Sequence, residues 1–157
     1  MEQNKTNPTS SKQVSPNEEP AKSTNPQAEQ EMFAPVIFTY TRKQAIADGV
    51  QVDISKIARE AGFKIPVFLT HGVYNQYVKV PEGVTCQDEE GRLWDIVWML
   101  RCAAGKKRSD CRALEFELYV RNSNDKPAEL VTLAAQVEAM DFDDPNPAIT
   151  ISLPGED

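Results

Sequence analysis

The stretch that decides this fold is LEFELYV, residues 114–120. Its apolar side chains, Leu114, Phe116, Leu118 and Val120, alternate with polar or aromatic ones. Successive side chains of a strand point to opposite faces, so a period of two is typical of a half-exposed strand in an antiparallel sheet. The sequence therefore predicts an antiparallel strand at this position.

Two more stretches downstream have the same period. Residues 130–139 alternate again, and so do residues 148–153. The connecting segments NSNDKP and DFDDPNP are rich in the residues that form turns. The sequence thus predicts a three-stranded antiparallel meander in the C-terminal part of the chain.

Upstream of the meander, the stretch LWDIVWMLRCAAG, residues 93–105, has the period of a helix. Asp88, Glu89 and Glu90 precede it, and negative charge in a first turn stabilises a helix through its dipole. The side chains predicted to form a core-facing stripe of about 120° are Leu93, Ile96, Val97, Leu100, Ala103 and Ala104.

Three shorter helices are expected before this one. Each begins after a residue that can cap or open a helix, and two of them end at a glycine that accepts a left-handed backbone. They are residues 42–48 between Thr41 and Gly49, residues 56–61 between Asp53 and Gly62, and residues 66–78 opened by Pro66.

The order of these elements indicates an α+β fold, because helices come first and the meander comes last. We expect a single domain over residues 33–157, with a short N-terminal strand at Val36–Tyr40 and four helices packed on the meander. Residues 1–32 are rich in Pro, Asn, Ser and Gln. They hold too few apolar residues to offset chain entropy, so we expect a disordered tail.

The composition of the chain argues against several classes of function. A formal net charge of -7 argues against nonspecific nucleic-acid binding through phosphate neutralisation. No apolar run is long enough to span a bilayer, and the amino terminus is polar where a signal peptide would be apolar. The three cysteines are in no paired spacing, which is typical of reduced thiols. We expect a cytoplasmic protein with no membrane partner and no direct contact with nucleic acid.

Four separated blocks of the sequence carry a resemblance to a known family. They are YTRKQAIADGVQVDIS (40–55), AREAGFKIPV (58–67), DEEGRLWDIVWMLRCAA (88–104) and ITISLPGED (149–157). In this order they resemble a family of small bacterial proteins of unknown function, carried mainly on plasmids, phages and other mobile elements. The resemblance implies an accessory protein of a mobile element and supplies no catalytic residues.

Trp94, Trp98 and Arg101 occupy the flank beside the core-facing stripe of the long helix, with the two indoles one turn apart. Large aromatic residues fill cores between a helix and a sheet. Tryptophan and arginine are also enriched where binding energy concentrates in protein interfaces. The sequence leaves both interpretations open, and exposure of the indoles would favour a partner-binding patch.

The residues that could support catalysis or metal binding are few. His71 is the only histidine, so a nucleophilic mechanism of the Ser-His or Cys-His type would have to use it. A zinc site would need His71 with Cys86, Cys102 and Cys111, which lack the short spacing that presents two thiolates together. We expect no catalytic residues, no metal and no cofactor.

Three functional hypotheses follow. The first is a non-enzymatic accessory protein that binds a protein encoded by the host or the element through Trp94, Trp98 and Arg101. The second is an anti-restriction inhibitor that imitates DNA with an acidic surface, Asp141, Asp143 and Asp144, since residues 138–157 hold six acidic and no basic residues. The third is a small enzyme that uses His71 with a neighbouring aspartate or cysteine.

Overall fold

A computed structural model describes residues 40–106 and 111–156 of the chain. The predicted tail, residues 1–32, lies outside these ranges. The predicted N-terminal strand, Val36–Tyr40, also lies outside them apart from Tyr40, which comes directly before the first helix.

The described residues form an α+β fold with four helices and a five-stranded mixed sheet. The sheet order is β1-β2-β5-β4-β3. In chain order the elements are α1 (Arg42–Ala47), β1 (Gln51–Asp53), α2 (Ser55–Glu60), β2 (Val67–Thr70), α3 (His71–Val73) with a π-helical turn (Tyr74–Val78), α4 (Glu89–Lys106), β3 (Ala113–Val120), β4 (Glu129–Asp141) and β5 (Asp144–Ser152).

The three C-terminal strands pair antiparallel in the predicted order. Phe116 lies opposite Leu133 in the β3–β4 pair, and Ala135 lies opposite Ile151 in the β4–β5 pair. The predicted meander is therefore present, but it is part of a larger mixed sheet. On its open side β5 pairs in parallel with β2, which the sequence pattern did not indicate.

The predicted helix over residues 66–78 is wrong in its first half. Val67, Phe68 and Leu69 are buried and form strand β2 between β1 and β5, and helical structure begins only at His71. A strand covered on both faces is apolar at every position, so its pattern does not alternate. Such a short apolar run has the same appearance as a segment of buried helix.

The main core lies between one face of the sheet and the helices α2 and α4. Ile96, Val97 and Leu100 of α4 are almost fully buried against it. Burial of each such side chain contributes roughly 1.5 to 3 kcal/mol, which fixes the side of α4 that points inward. The sheet side of this core includes Leu69, Phe116, Leu118, Leu133, Ala135 and Ile151. Among the described residues, no helix has the length and apolar character to cross a membrane.

Helix α1 joins the opposite face of the sheet through Arg42. The Arg42 side chain is only 7% exposed, and its guanidinium lies 4.6 Å from the centre of the Phe68 ring. It donates to the carbonyl of Met140 at 2.7 Å and forms an ion pair with Glu138 at 2.7 Å. It also donates to the side chains of Gln51 and Thr150 and to the carbonyl of Ala139.

The helix ends largely follow the predicted signals. Thr41 caps α1 in a capping box with Gln44, and Gly49 and Gly62 have the positive φ expected after α1 and α2. The start of α2 differs slightly, because it begins at Ser55 rather than Lys56. Asp53 lies one residue before the N-cap of this helix, and its carboxylate accepts the N–H of Ser55 at 2.8 Å.

Candidate functional site

Helix α4 is the platform of the candidate site. Its first turn is held by Asp88, whose carboxylate accepts the N–H of Gly91 at 2.8 Å and whose carbonyl accepts that of Arg92. Because Ile96, Val97 and Leu100 anchor one side of the helix in the core, the opposite side must face outward.

Trp94 and Trp98 lie on this outward side. Trp94 is 37% exposed and Trp98 is 49% exposed. Their rings are stacked, with centroids 6.1 Å apart and planes 16° from parallel. The structure thus places both indoles at the surface, which is the arrangement that favours a contact patch over core packing.

Arg101 lies one turn beyond Trp98 and is also exposed. Its Nη1 donates to the carbonyl of Gly62, just after α2, at 3.0 Å. Gly62 has φ +93°, and a Cβ at this position would lie 2.6 Å from Arg101 Nη1. The absence of a side chain at residue 62 therefore lets the guanidinium rest against the end of α2 beside the indoles.

We call these three residues, Trp94, Trp98 and Arg101, the tryptophan patch. The structure brings together all three residues predicted for partner binding on one exposed surface. Stacking holds the two rings together, and the bond to Gly62 holds the cation. A surface with these properties can bury apolar area and offer a positive charge with little loss of side-chain entropy on binding.

Arg92 secures the first half of α4 and was not predicted from the sequence. Arg92 is 6% exposed, and burial lowers the pKa of its guanidinium from its usual value. Its position four residues before Ile96, on the core-facing side, is the signal that could have identified it. It donates to the carbonyls of Tyr77, Lys79 and Arg121 and to the side chains of Gln87 and Asn122.

A cleft of about 600 Å³ lies between the first half of α4 and the end of β3. Its lining has both signs of charge, with Arg92 and Arg121 near Asp88 and Asp95. Arg92 already donates to five oxygen acceptors, so it acts as a brace between elements.

His71, the candidate general base, is exposed at the first residue of α3. It borders a cleft of about 330 Å³ together with Ser152, Glu138 and Glu156. Neither aspartate nor cysteine is among the described residues that line this cleft. Glu156 also accepts hydrogen bonds from the Thr70 hydroxyl and the N–H of Leu153, which tie the last described residues to β2.

The acidic residues Asp141, Asp143 and Asp144 lie at the turn between β4 and β5. Asp141 accepts the N–H groups of Arg42 and Phe142, at 3.1 Å and 2.9 Å. Asp144 accepts the N–H of Asn146 at 3.0 Å. Two of the three carboxylates therefore stabilise the hairpin in which they lie.

The cysteines Cys86, Cys102 and Cys111 are free thiols. Within residues 40–106 and 111–156, no three histidine, cysteine or acidic side chains are grouped as a metal site requires. The combination of His71 with these three cysteines is therefore not assembled.

Comparison with known proteins identifies a family. A family model described as a family of unknown function (DUF6573) matches residues 30–157. No curated protein and no solved structure matches the chain. The matched range includes every described element.

Proposed function

The chain belongs to DUF6573, a family of unknown function, and we propose that it is a non-enzymatic accessory protein of a mobile genetic element that binds another protein through the tryptophan patch. The mobile-element setting rests on the sequence resemblance. The binding role rests on the surface geometry.

One observation carries the proposal: two stacked indoles are exposed beside an anchored arginine. Tryptophan and arginine are the residue types most enriched at the energetic centres of interfaces. Removing the exposed part of each ring from water would contribute roughly 2 to 3 kcal/mol to association. This gain is large enough for two side chains to dominate a modest interface.

The patch also defines the chemistry of the partner. The indoles require an apolar or aromatic surface, and the Arg101 guanidinium requires a carboxylate beside it. Because Arg101 Nη1 is already bound to Gly62, the cation is held in place before the partner arrives. We therefore expect a folded protein surface that combines apolar and acidic side chains.

The two other functions expected from sequence have less support in the geometry. In the acidic surface, Asp141 and Asp144 already accept backbone N–H groups of Arg42, Phe142 and Asn146. In the cleft at His71, the described lining lacks the aspartate or cysteine that the catalytic hypothesis requires.

The proposal is tested by capturing partners from the producing cell with the full-length chain and two matched variants. Trp98→Ala removes half of the stacked pair. Tyr119→Ala removes an aromatic residue of β3 that is 69% exposed, borders the cleft beside the first half of α4 and is not part of the tryptophan patch. Circular dichroism melts check that both variants stay folded.

We expect the wild type and Tyr119→Ala to retain the same proteins and Trp98→Ala to lose some of them. Identical sets for Trp98→Ala and Tyr119→Ala would contradict the proposal. If Trp98→Ala unfolds, Arg101→Ala is compared with Tyr119→Ala instead, because it removes the cation and leaves both indoles in place.

A further inference from the structure

The exposed side of α4 carries an ordered series of side chains. Glu90, Trp94, Trp98 and Arg101 are all exposed, and at 100° per residue they fall within about 80° of one another. Read along the helix, the series is acid, indole, indole and base. This order is complementary to itself when it is reversed.

We propose that the partner of the tryptophan patch is a second copy of this chain, joined through an antiparallel pair of α4 helices about a two-fold axis. This inference rests on the proposed function and names the partner of the same site. A two-fold contact uses the same surface on both copies, so that surface must be complementary to itself.

The spacing along the helix suits this pairing. Trp94 and Trp98 lie at equal distances along the helix from the level of residue 96. When the two-fold axis crosses the helix pair at that level, each Trp94 meets the partner's Trp98. Glu90 lies about 9 Å before this midpoint and Arg101 about 7.5 Å after it, at 1.5 Å per residue. Along the helix axis, Glu90 of one copy and the partner's Arg101 therefore lie at levels that differ by only about 1.5 Å.

The angles around the helix also agree. Glu90 and Arg101 differ by only about 20°, so they lie on the same edge of the indole series. A two-fold axis perpendicular to both helices brings the same edge of each helix together. Asp95 lies about 100° from Trp94, outside the series.

Charge selects the antiparallel arrangement over a parallel one. Parallel helices would place Glu90 against the partner's Glu90 and Arg101 against the partner's Arg101, which costs free energy twice. The antiparallel arrangement forms two opposite-charge pairs instead. Since the whole chain carries a net charge of -7, self-association requires a contact where charge is locally balanced.

The decisive experiment is a charge exchange followed by sedimentation velocity over about 1 to 100 µM, a range suited to a modest interface. Glu90→Arg alone places two cations together at each end of the contact, and Arg101→Glu alone places two anions together. We expect each variant by itself to dimerise at least tenfold more weakly than the wild type.

An equimolar mixture of Glu90→Arg and Arg101→Glu restores both opposite-charge pairs in a heterodimer, and so does the double variant with itself. We expect both to recover dimerisation. Lys106→Glu is the matched control, because residue 106 lies about 120° from Trp94 and outside the series. Its dimerisation should equal that of the wild type apart from the general effect of net charge.

A wild type that stays monomeric throughout this range would overturn the inference, as would a mixture no stronger than either variant alone. These outcomes leave the proposed function separately testable. If the chain is monomeric and Trp98→Ala still loses captured proteins, the patch binds a different protein. If the chain dimerises and Trp98→Ala captures the same proteins as Tyr119→Ala, the patch serves self-association alone.

Discussion

The carbonyl oxygen of Gly62 accepts a hydrogen bond from Nη1 of Arg101 at 3.0 Å, and this contact joins the end of α2 to the exposed side of α4. Gly62 has a positive φ and no side chain to push the guanidinium away. The position of the charged group in the tryptophan patch therefore depends on the turn that follows another helix.

A comparison of two glycine variants tests this dependence. Gly62→Ala and Gly49→Ala both place a Cβ at positive φ, so each should lower the free energy of unfolding by roughly 1 kcal/mol. A Cβ at residue 62 also meets Arg101, whereas one at residue 49 meets no atom within 4 Å. We expect only Gly62→Ala to weaken binding at the patch. Denaturant melts and a binding assay check both effects, and equal loss of binding in the two variants would contradict the assignment.

Arg42 should be among the most important polar residues for stability. Arg42→Ala removes an ion pair and several hydrogen bonds to partly buried acceptors, including the carbonyl of Met140. Since Glu138 is 45% exposed and can be hydrated, we expect a loss of roughly 2 to 4 kcal/mol in the free energy of unfolding. Arg59→Ala, which removes an exposed side chain bonded to the Ser55 carbonyl, should cost about 1 kcal/mol or less. Urea denaturation measures both.

Tryptophan fluorescence, excited at a wavelength that tyrosine does not absorb, reports on the patch alone, because Trp94 and Trp98 are the two tryptophans of the chain. Both rings are partly exposed, so the emission maximum of dilute protein should lie at a longer wavelength than that of buried tryptophan. The emission should also be readily quenched by acrylamide. Association through the patch should shift the emission to the blue and reduce quenching. Strong protection from acrylamide at the lowest measurable concentration would mean that the indoles are buried within one copy.

Tyr74 should make the free energy of unfolding depend on pH in the alkaline range. Its hydroxyl donates to Glu89 at 2.7 Å, and this hydrogen bond, followed by burial, raises the pKa of Tyr74 above its usual 10.0. The contribution is complete below pH 10 and is lost as the pH rises through the folded-state pKa. Thermal melts between about pH 8 and 11 should therefore show a smaller alkaline decline for Tyr74→Phe than for the wild type. Tyr119→Phe is the control, and an identical change in both variants would contradict the assignment.

Patterns within short stretches of the sequence predicted the elements that have one buried side and one exposed side. β3 alternates because Phe116 faces the core and Glu117 faces outward, and α4 has a single buried side. The caps at Thr41 and Gly62 were also predicted, since each depends on neighbours within a few residues. These features needed no knowledge of distant contacts.

The errors arose where distant residues decide the structure. Residues 67–69 form a strand because β5, about eighty residues later in the chain, pairs with them in parallel. The positions of the two tryptophans were undecided for a similar reason. Helical periodicity places Trp94 beside the core-facing stripe, and only the packing of α4 on the sheet shows that this flank is exposed. Arg92 was missed because its acceptors come from separate segments.

The central claim is that the tryptophan patch is covered by a protein when this chain acts. Its most direct test replaces Trp98 with the photoreactive amino acid p-benzoylphenylalanine and irradiates the producing cells, with the same replacement at Tyr119 as control. The account predicts discrete cross-linked protein products from position 98 and none from position 119. Absence of products from position 98, or equal products from both positions, would contradict it.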